Sequence, residues 1–199
     1  MLAKDAELHA KPAHPYVSRG GVKLAAALDR FGIDPSGKVC LDLGASTGGF
    51  TEVLLLRGAL RVFAVDVGRD QLHPALRGRH EIVLLQNADA RALDRKLVPE
   101  PIDLLTVDIS FISMKLILPS SLKLAASRAN LIALIKPQFE AGRKLVRKGI
   151  VRNADVQWDV CIDIAKFIEK LGWRVSGIME SPIKGGEGNR EFLIGAARV

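Results

Sequence analysis

The sequence predicts an α/β protein whose sheet is mostly parallel and doubly wound, with an antiparallel strand at the C-terminal end. Three observations carry that expectation. Short apolar runs alternate with helical segments, the arrangement of a parallel sheet covered on both faces. The runs are apolar nearly throughout, as strands buried on two sides must be. The last two runs are joined only by "PIKGGEGN" (182–189), too short for a crossover helix, so they pair antiparallel as a hairpin at or near one edge.

The elements follow in order. The first twenty residues are polar, rich in Ala, His and Pro, and without period, and they read as a linker or tail. "GGVKLAAALDRFGI" is a short helix with Leu24, Leu28 and Phe31 on one face, stopped by Gly32. "KVCLDLG" is a strand, and "TGGFTEVLLLRG" is a helix closed by Gly58. "LRVFAVDVG" is the second strand, followed by a short helix near Gln71 to Leu76. "EIVLLQNADA" and "IDLLTVDIS" supply the third and fourth strands. "SMKLILPSSLKLAA" reads as mostly helix despite Pro119, and "ANLIALIKP" as the fifth strand. A long helix fits "ADVQWDVCIDIAKFIEKLG", with Ala154 and Asp155 near its start and Gly172 at its stop. "WRVSGIMES" and "REFLIGAARV" close the sheet. In such sheets ligands bind beyond the carboxyl ends of the strands. Three of the strands end there in a charged residue: Asp66, Asp108 and Lys136.

Composition narrows the function classes. The chain has 199 residues, 48% hydrophobic and 26% charged, enough for one core of ordinary size. No apolar run approaches the roughly 18–20 residues that span a bilayer, and "MLAKDAELHAKP" has no signal-peptide core. The two cysteines, Cys40 and Cys161, lie far apart and read as small buried hydrophobes. The four histidines show no ligand spacing, so no metal site is expected and the cytoplasm is the expected compartment. The net charge of +7 favours a polyanionic partner. "GRKLVRKGIVR" concentrates Arg143, Lys144, Arg147, Lys148 and Arg152 just after Lys136. With Arg19, these are the candidate nucleic-acid contacts.

"LDLGASTGGFTE" follows the first strand and opens a helix, the setting in which a Gly-rich loop carries meaning. Gly44 permits the turn, and Gly48 and Gly49 allow close approach of a ligand and of the helix. The candidate cradle runs from Gly44 through Ala45, Ser46, Thr47, Gly48 and Gly49 to Phe50. Asp66, about twenty residues on, is placed to accept from the hydroxyls of a ribose, with Val67 beside it. A dinucleotide fingerprint needs glycine where Ser46 stands, and Asp42 would lie unfavourably near a pyrophosphate. S-adenosylmethionine has no phosphate and carries an ammonium and a sulfonium, which an acidic loop accommodates. In "NADAR", Asp89 is placed to accept from an adenine amino group, with Ala90 adjacent. The whole matches a Rossmann-like S-adenosylmethionine-dependent methyltransferase fold.

"YVSRGGVKL", "LDLGASTGGFT", "VDISFIS", "LIKPQFE" and "GNREFL", in this order from Tyr16 on, resemble the TlyA (hemolysin A) family of FtsJ-like RNA ribose 2′-O-methyltransferases. The resemblance implies S-adenosylmethionine as donor and ribosomal RNA as substrate. It also implies a catalytic Lys-Asp-Lys-Glu tetrad at Lys23, Asp108, Lys136 and Glu191. Members carry a small N-terminal RNA-binding domain ahead of the methyltransferase. Here only polar residues precede the first motif, so 1–15 read as linker or tail and 16–199 as the methyltransferase domain, shortened or naturally short.

The implied chemistry makes physical sense. A ribose hydroxyl must lose a proton as it attacks a methyl group. A lysine can accept one only where burial or a second cation lowers its pKa from about 10.4, and nearby acids oppose that. Two lysines and two acids therefore titrate as one network. Lys136 is the expected activator, oriented by Asp108 in a network that Lys23 and Glu191 shape. The alternative makes the lysines electrostatic stabilisers. Base N-methylation is disfavoured because no proline follows Asp108 in "DISFIS", and a cysteine mechanism because Cys40 lies inside a strand. Two other classes stand as alternatives. One is a non-catalytic RNA-binding module, which would bind RNA without S-adenosylmethionine. The other is a membrane-active hemolysin, for which no membrane-spanning helix or strand pattern is evident.

Overall fold

The structure, a computed structural model, describes residues 14–198, the side chain of Arg143 excepted; the predicted linker thus lies almost wholly outside the described residues. Seven strands form one sheet: β1 (Val39–Leu43), β2 (Arg61–Asp66), β3 (Ile82–Gln86), β4 (Ile102–Val107), β5 (Ala125–Ile135), β6 (Arg174–Glu180) and β7 (Phe192–Arg198). Their order is β3-β2-β1-β4-β5-β7-β6, so the direction of winding reverses between β1 and β4. The β1 to β5 pairings are parallel, while β7 runs antiparallel to both β5 and β6.

The predicted hairpin forms, but its second strand is interior and its first is the edge. The side chains give the reason. Strand β7 is buried from Phe192 to Ala196, whereas every residue of β6 is exposed or half-buried. The more apolar strand therefore takes the place covered on both faces.

Successive residues of each strand face opposite layers. Cys40, Val62, Leu104, Ile132 and Leu193 pack under α1 (Gly20–Phe31) and α2 (Gly49–Leu56), against Leu24, Leu28, Val53 and Leu54. Leu41, Phe63, Leu105, Leu131 and Ile194 face the other layer, which includes Cys161, Ile164 and Ile168 of α5 (Ala154–Lys170). Each large aliphatic side chain buried in this way contributes about 1.5–3 kcal/mol. Phe31 lies so close to β7 that a Cβ at Gly195 would sit 2.7 Å from its ring. Both cysteines are buried, and burial pushes each thiol up to about 12.

Helix boundaries follow local chemistry. Gly32 ends α1 in the left-handed conformation, and Asn153 caps α5 by accepting from the amides of Asp155 and Val156. The helix expected across 113–126 is broken into a 3₁₀ turn, the four-residue α3 (Leu118–Ser121) and a second 3₁₀ turn. Pro119 opens α3, since proline has no N–H to donate and suits a first turn. The short helix expected near 71–76 is only a 3₁₀ turn at Pro74–Leu76. Pro137 likewise opens a short helix, α4 (Pro137–Glu140), with Lys136 at its N-cap in extended conformation. Among the described residues no helix is long and apolar enough to cross a membrane.

Candidate active site

The carboxyl ends of β1, β4 and β5 lie side by side, and three predicted segments leave the sheet there. The loop after β1 turns sharply at Gly44, whose φ is 84°. A Cβ at Gly44 would also stand 2.6 Å from the carbonyl oxygen of Asp108, so both conformation and space demand glycine. The next two glycines are needed for packing within the protein. A Cβ at Gly48 would meet Leu76 at 2.4 Å, and one at Gly49 would meet Ser18 Oγ at 2.1 Å. Gly49 thus lets α2 start against the first turn of α1.

Four charged side chains separated by up to 168 positions converge beside this loop. Lys23 Nζ donates to Glu191 Oε2 at 2.5 Å, and both residues are buried. Lys136 Nζ lies 2.6 Å from Asp108 Oδ1 and donates to Ser110 Oγ at 2.8 Å. Burial pushes the Asp108 carboxyl above the usual carboxylate range, while Lys136 and then Lys23 pull it back and Glu191 adds a small push upward. The other three groups therefore all act on Asp108. The fold brings Glu191 here because β7 runs antiparallel to β5. Phe192 pairs with Ile135, so the residue before one strand meets the residue after the other.

Two cavities meet at this cluster. One, of about 270 Å³, is walled by the glycine loop, Phe50 and the first turn of α1. The other, of about 520 Å³, is walled by Phe111, Gln138, Phe139 and the loop before β7. Lys23, Asp108, Ser110 and Lys136 belong to both walls.

The other predicted acids are arranged differently from one another. Asp66 Oδ2 accepts from the amide of Ser46 at 2.8 Å and Oδ1 from that of Gly68 at 2.7 Å, which fixes it beside the loop. Asp89 caps a 3₁₀ turn and pairs with Arg91 at 2.5 Å, a pairing that holds its carboxyl down at about 2. Asp66, Val67, Asp89 and Ala90 do not wall the 270 Å³ cavity. Asp42 is fully buried and accepts hydroxyl bonds from Thr51 at 2.6 Å and Thr106 at 2.9 Å. It props the loop from beneath, and the expected direct contact with a cofactor cation is not available to a carboxyl with no exposed surface.

Burial raises the Asp42 carboxyl from 3.8 to about 7, against the opposing hydroxyl bonds of Thr51 and Thr106. Because the raised value belongs to the folded state, the protonated acid favours folding. That contribution is complete below about pH 4 and is lost as the pH rises through about 7. It amounts to roughly 4 kcal/mol over the window. Asp42→Asn is accordingly expected to be more stable than the parent at pH 8, with the difference shrinking toward pH 4. Thermal melts across that range check it, and parallel curves for the two proteins would refute it.

The basic segment forms its own surface next to the larger cavity. Lys144, Arg147, Lys148 and Arg152 line a cleft of about 590 Å³. Arg147 and Ile150 exchange backbone hydrogen bonds across a two-residue turn in which Lys148 (φ 50°) and Gly149 (φ 75°) are both left-handed. Asn189 Nδ2 donates to the carbonyl of Gly149 at 3.1 Å, pinning this turn to the loop before β7. Gly149 itself walls the 520 Å³ cavity. Arg19 stands in the wall of the smaller cavity. The side chain of Arg143 lies outside the described residues.

Several residues of the site stand inside the quoted motifs, with no period or strand-end position to single them out. Ser110 is one, visible only as a hydroxyl two positions after Asp108. Glu140 is another: Oε2 accepts from Ser113 Oγ at 2.5 Å and Oε1 from the Met114 amide at 2.8 Å. It clasps the segment after β4 to α4, and so Asp108 to Lys136; burial raises its carboxyl. Phe111 is 90% exposed at the rim, with a φ of 69°, its ring centre 5.2 Å from that of Phe139. In the sequence it stands inside "VDISFIS", between Ser110 and Ile112, with nothing to mark it as exposed.

The family model for FtsJ-like methyltransferase matches residues 16–198. A 16S/23S rRNA (cytidine-2′-O)-methyltransferase TlyA of Mycobacterium tuberculosis is 42% identical over 180 residues, covering 90% of this chain and 67% of that protein. Hemolysin A of Brachyspira hyodysenteriae is 41% identical over 181 residues, covering 89% of this chain and 75% of that one. A solved Streptococcus thermophilus structure, provisionally named a hemolysin, superposes with a TM-score of 0.91 at 39% identity, covering 96% of this chain and 70% of that one.

Proposed function

The chain belongs to the FtsJ-like methyltransferase family, and from that premise we propose that it methylates a ribose 2′-hydroxyl of ribosomal RNA, a cytidine's as in the Mycobacterium relative, with S-adenosylmethionine as donor. One observation carries the reading: two cavities share a wall made of Lys23, Asp108, Ser110 and Lys136. A transferase needs a donor pocket and an acceptor pocket that meet at the reacting atoms. Residues 16–199 form the methyltransferase domain in this reading.

The smaller cavity fits the donor. Its loop brings backbone close to the ligand, and Asp108 on its wall and Asp66 beside it suit a cofactor with cationic groups and a ribose. S-adenosylmethionine supplies an electrophilic methyl group when bound; the loop from Gly44 to Phe50 and Asp66 would hold it. Asp66→Ala is expected to weaken cofactor binding at least tenfold, the order of one or two hydrogen bonds to a charged acceptor. Calorimetry with the cofactor measures this, and an unchanged affinity would remove Asp66 from the site.

The larger cavity takes the nucleotide. A neutral amine has two N–H bonds and one lone pair. Asp108 and Ser110 occupy two of the three directions around Lys136 Nζ, which leaves the third for the hydroxyl whose proton it takes. Lys23 and Glu191 set the potential around the pair, so the proton belongs to a coupled network. The basic cleft from Lys144 to Arg152, and Arg19 at the smaller cavity, would neutralise phosphates and make binding salt-dependent.

Methyl transfer from labelled cofactor to ribosomal subunits, followed by mapping of the modified nucleotide, tests the function. A methyl group found on a base, or RNA binding with no affinity for the cofactor, would overturn it. Leakage of liposomes caused by the purified protein would instead support a lytic role.

A further inference from the structure

Asn189 stands in "GNREFL", two positions before Glu191, and only 5% of its surface is exposed. Its side-chain Nδ2 donates twice, to the carbonyl of Gly149 at 3.1 Å and to that of Gly186 at 3.2 Å. Both partners are acceptors, so only the amino end of the carboxamide can face them, and its orientation is fixed. The backbone of Asn189 closes the same loop. Its N–H donates to the Gly186 carbonyl at 3.1 Å, and its own carbonyl accepts from the Gly185 amide at 2.9 Å. Gly185 in turn lies directly on the Glu191 carboxyl, where an added Cβ would stand 2.0 Å from Oε1. At the other end of the tie, Gly149 follows Lys148 in the turn whose Arg147 and Lys148 line the basic cleft.

We propose that Asn189 is a positioning residue that ties the RNA-binding turn to the Lys23–Glu191 pair, so that phosphate engagement in the basic cleft and methyl transfer depend on one uncharged amide. The inference rests on the function proposed above. Among the described residues, the bond from Asn189 to Gly149 is the one hydrogen bond between the turn at 147–150 and the loop before β7. It spans 40 positions of chain. A phosphate drawn to Arg147 and Lys148 therefore meets a turn whose place is held by that bond. Loss of the amide frees the turn from the acceptor cavity, whose wall includes Gly149, and loosens the loop that rests on Glu191. RNA affinity and the geometry of the charged cluster are thereby lost together.

The experiment measures binding of the purified protein to ribosomal subunits over a range of salt concentrations, and steady-state methyl transfer to the same subunits. Asn189→Ala is expected to raise KM for the subunits and to lower kcat by about tenfold each, the order of one lost buried hydrogen bond on either side of the tie. Cofactor affinity is expected to stay at the parental value. The slope of log affinity against log salt is expected to flatten by about 1 to 1.5, the share of two phosphate contacts at Arg147 and Lys148. A side chain that only stabilised the fold would leave that slope alone. Lys148→Ala is expected to raise KM in the parent and to add little in the Asn189→Ala background, because the turn is already released. Asn189→Ser keeps one donor and is expected to fall between the parent and the alanine variant; it also serves if the alanine variant does not fold. A parental salt slope or kcat in the folded variant, or additive effects on KM, would overturn the tie while leaving ribose methylation standing. A wild-type protein that transfers no methyl group to a ribose would instead overturn the function on which it rests.

Discussion

Lys136→Ala is expected to lower the methyl-transfer rate by roughly 10²–10⁴-fold, the usual contribution of a positioned proton acceptor, while cofactor affinity stays within a few-fold of the parent. Lys136 Nζ is held between Asp108 and Ser110 at 2.6 and 2.8 Å, so its removal takes away a proton acceptor and uncouples Asp108 from its counter-charge. Lys136→Arg separates the two roles. Arginine keeps the positive charge but stays protonated, so it cannot take the proton. An arginine variant as slow as the alanine variant assigns proton transfer to this amine. An arginine variant with most of the parental rate would make the lysine an electrostatic stabiliser. Single-turnover transfer from labelled cofactor gives the rates, and calorimetry the affinities.

The second large effect is on stability. Lys23 and Glu191 form an ion pair at 2.5 Å with side chains only 10% and 3% exposed. Removing one partner leaves a buried charge without compensation, so Glu191→Leu and Lys23→Met are each expected to cost about 3–5 kcal/mol in urea unfolding. Together the two substitutions are expected to recover most of that loss, since a well-packed apolar pair often replaces a buried ion pair at little cost. Activity is expected to stay low in the double variant. That outcome separates folding from chemistry: recovery of both would reduce the pair to a structural clasp, and additive losses of stability would mean the two charges are not coupled.

The cluster and the sheet differ in how far the sequence alone defines them. Strand apolarity, the breaks at Gly32, Gly58 and Gly172, and the glycine loop after β1 are local properties, fixed by backbone freedom and burial within a few residues. They identify a doubly wound sheet whose ligand end carries Asp66, Asp108 and Lys136. Motif order added Lys23 and Glu191, which no local pattern would have chosen, since each alone reads as an ordinary surface charge. Burial of both, to 8% and 3%, shows how poor that local reading would have been.

Asp42 shows the opposite limit. A carboxylate two residues before Gly44 looks like a cofactor contact in the sequence. Strand alternation and the hydroxyls of Thr51 and Thr106 instead place it under the loop, where burial raises its pKa to about 7. Only the packed structure could show this, because Thr106 lies 64 positions away.

The sequence by itself determined the alternation of strands and helices, the glycine loop and the charged strand ends, because each follows from short-range sterics and hydrophobic period. The tertiary structure decided that β7 lies between β5 and β6, which a hairpin of two strands leaves open. That placement depends on which strand is apolar enough to be covered on both faces. It also makes the site: only an interior, antiparallel β7 starts where β5 ends, and so sets Glu191 and its partner Lys23 beside Asp108 and Lys136.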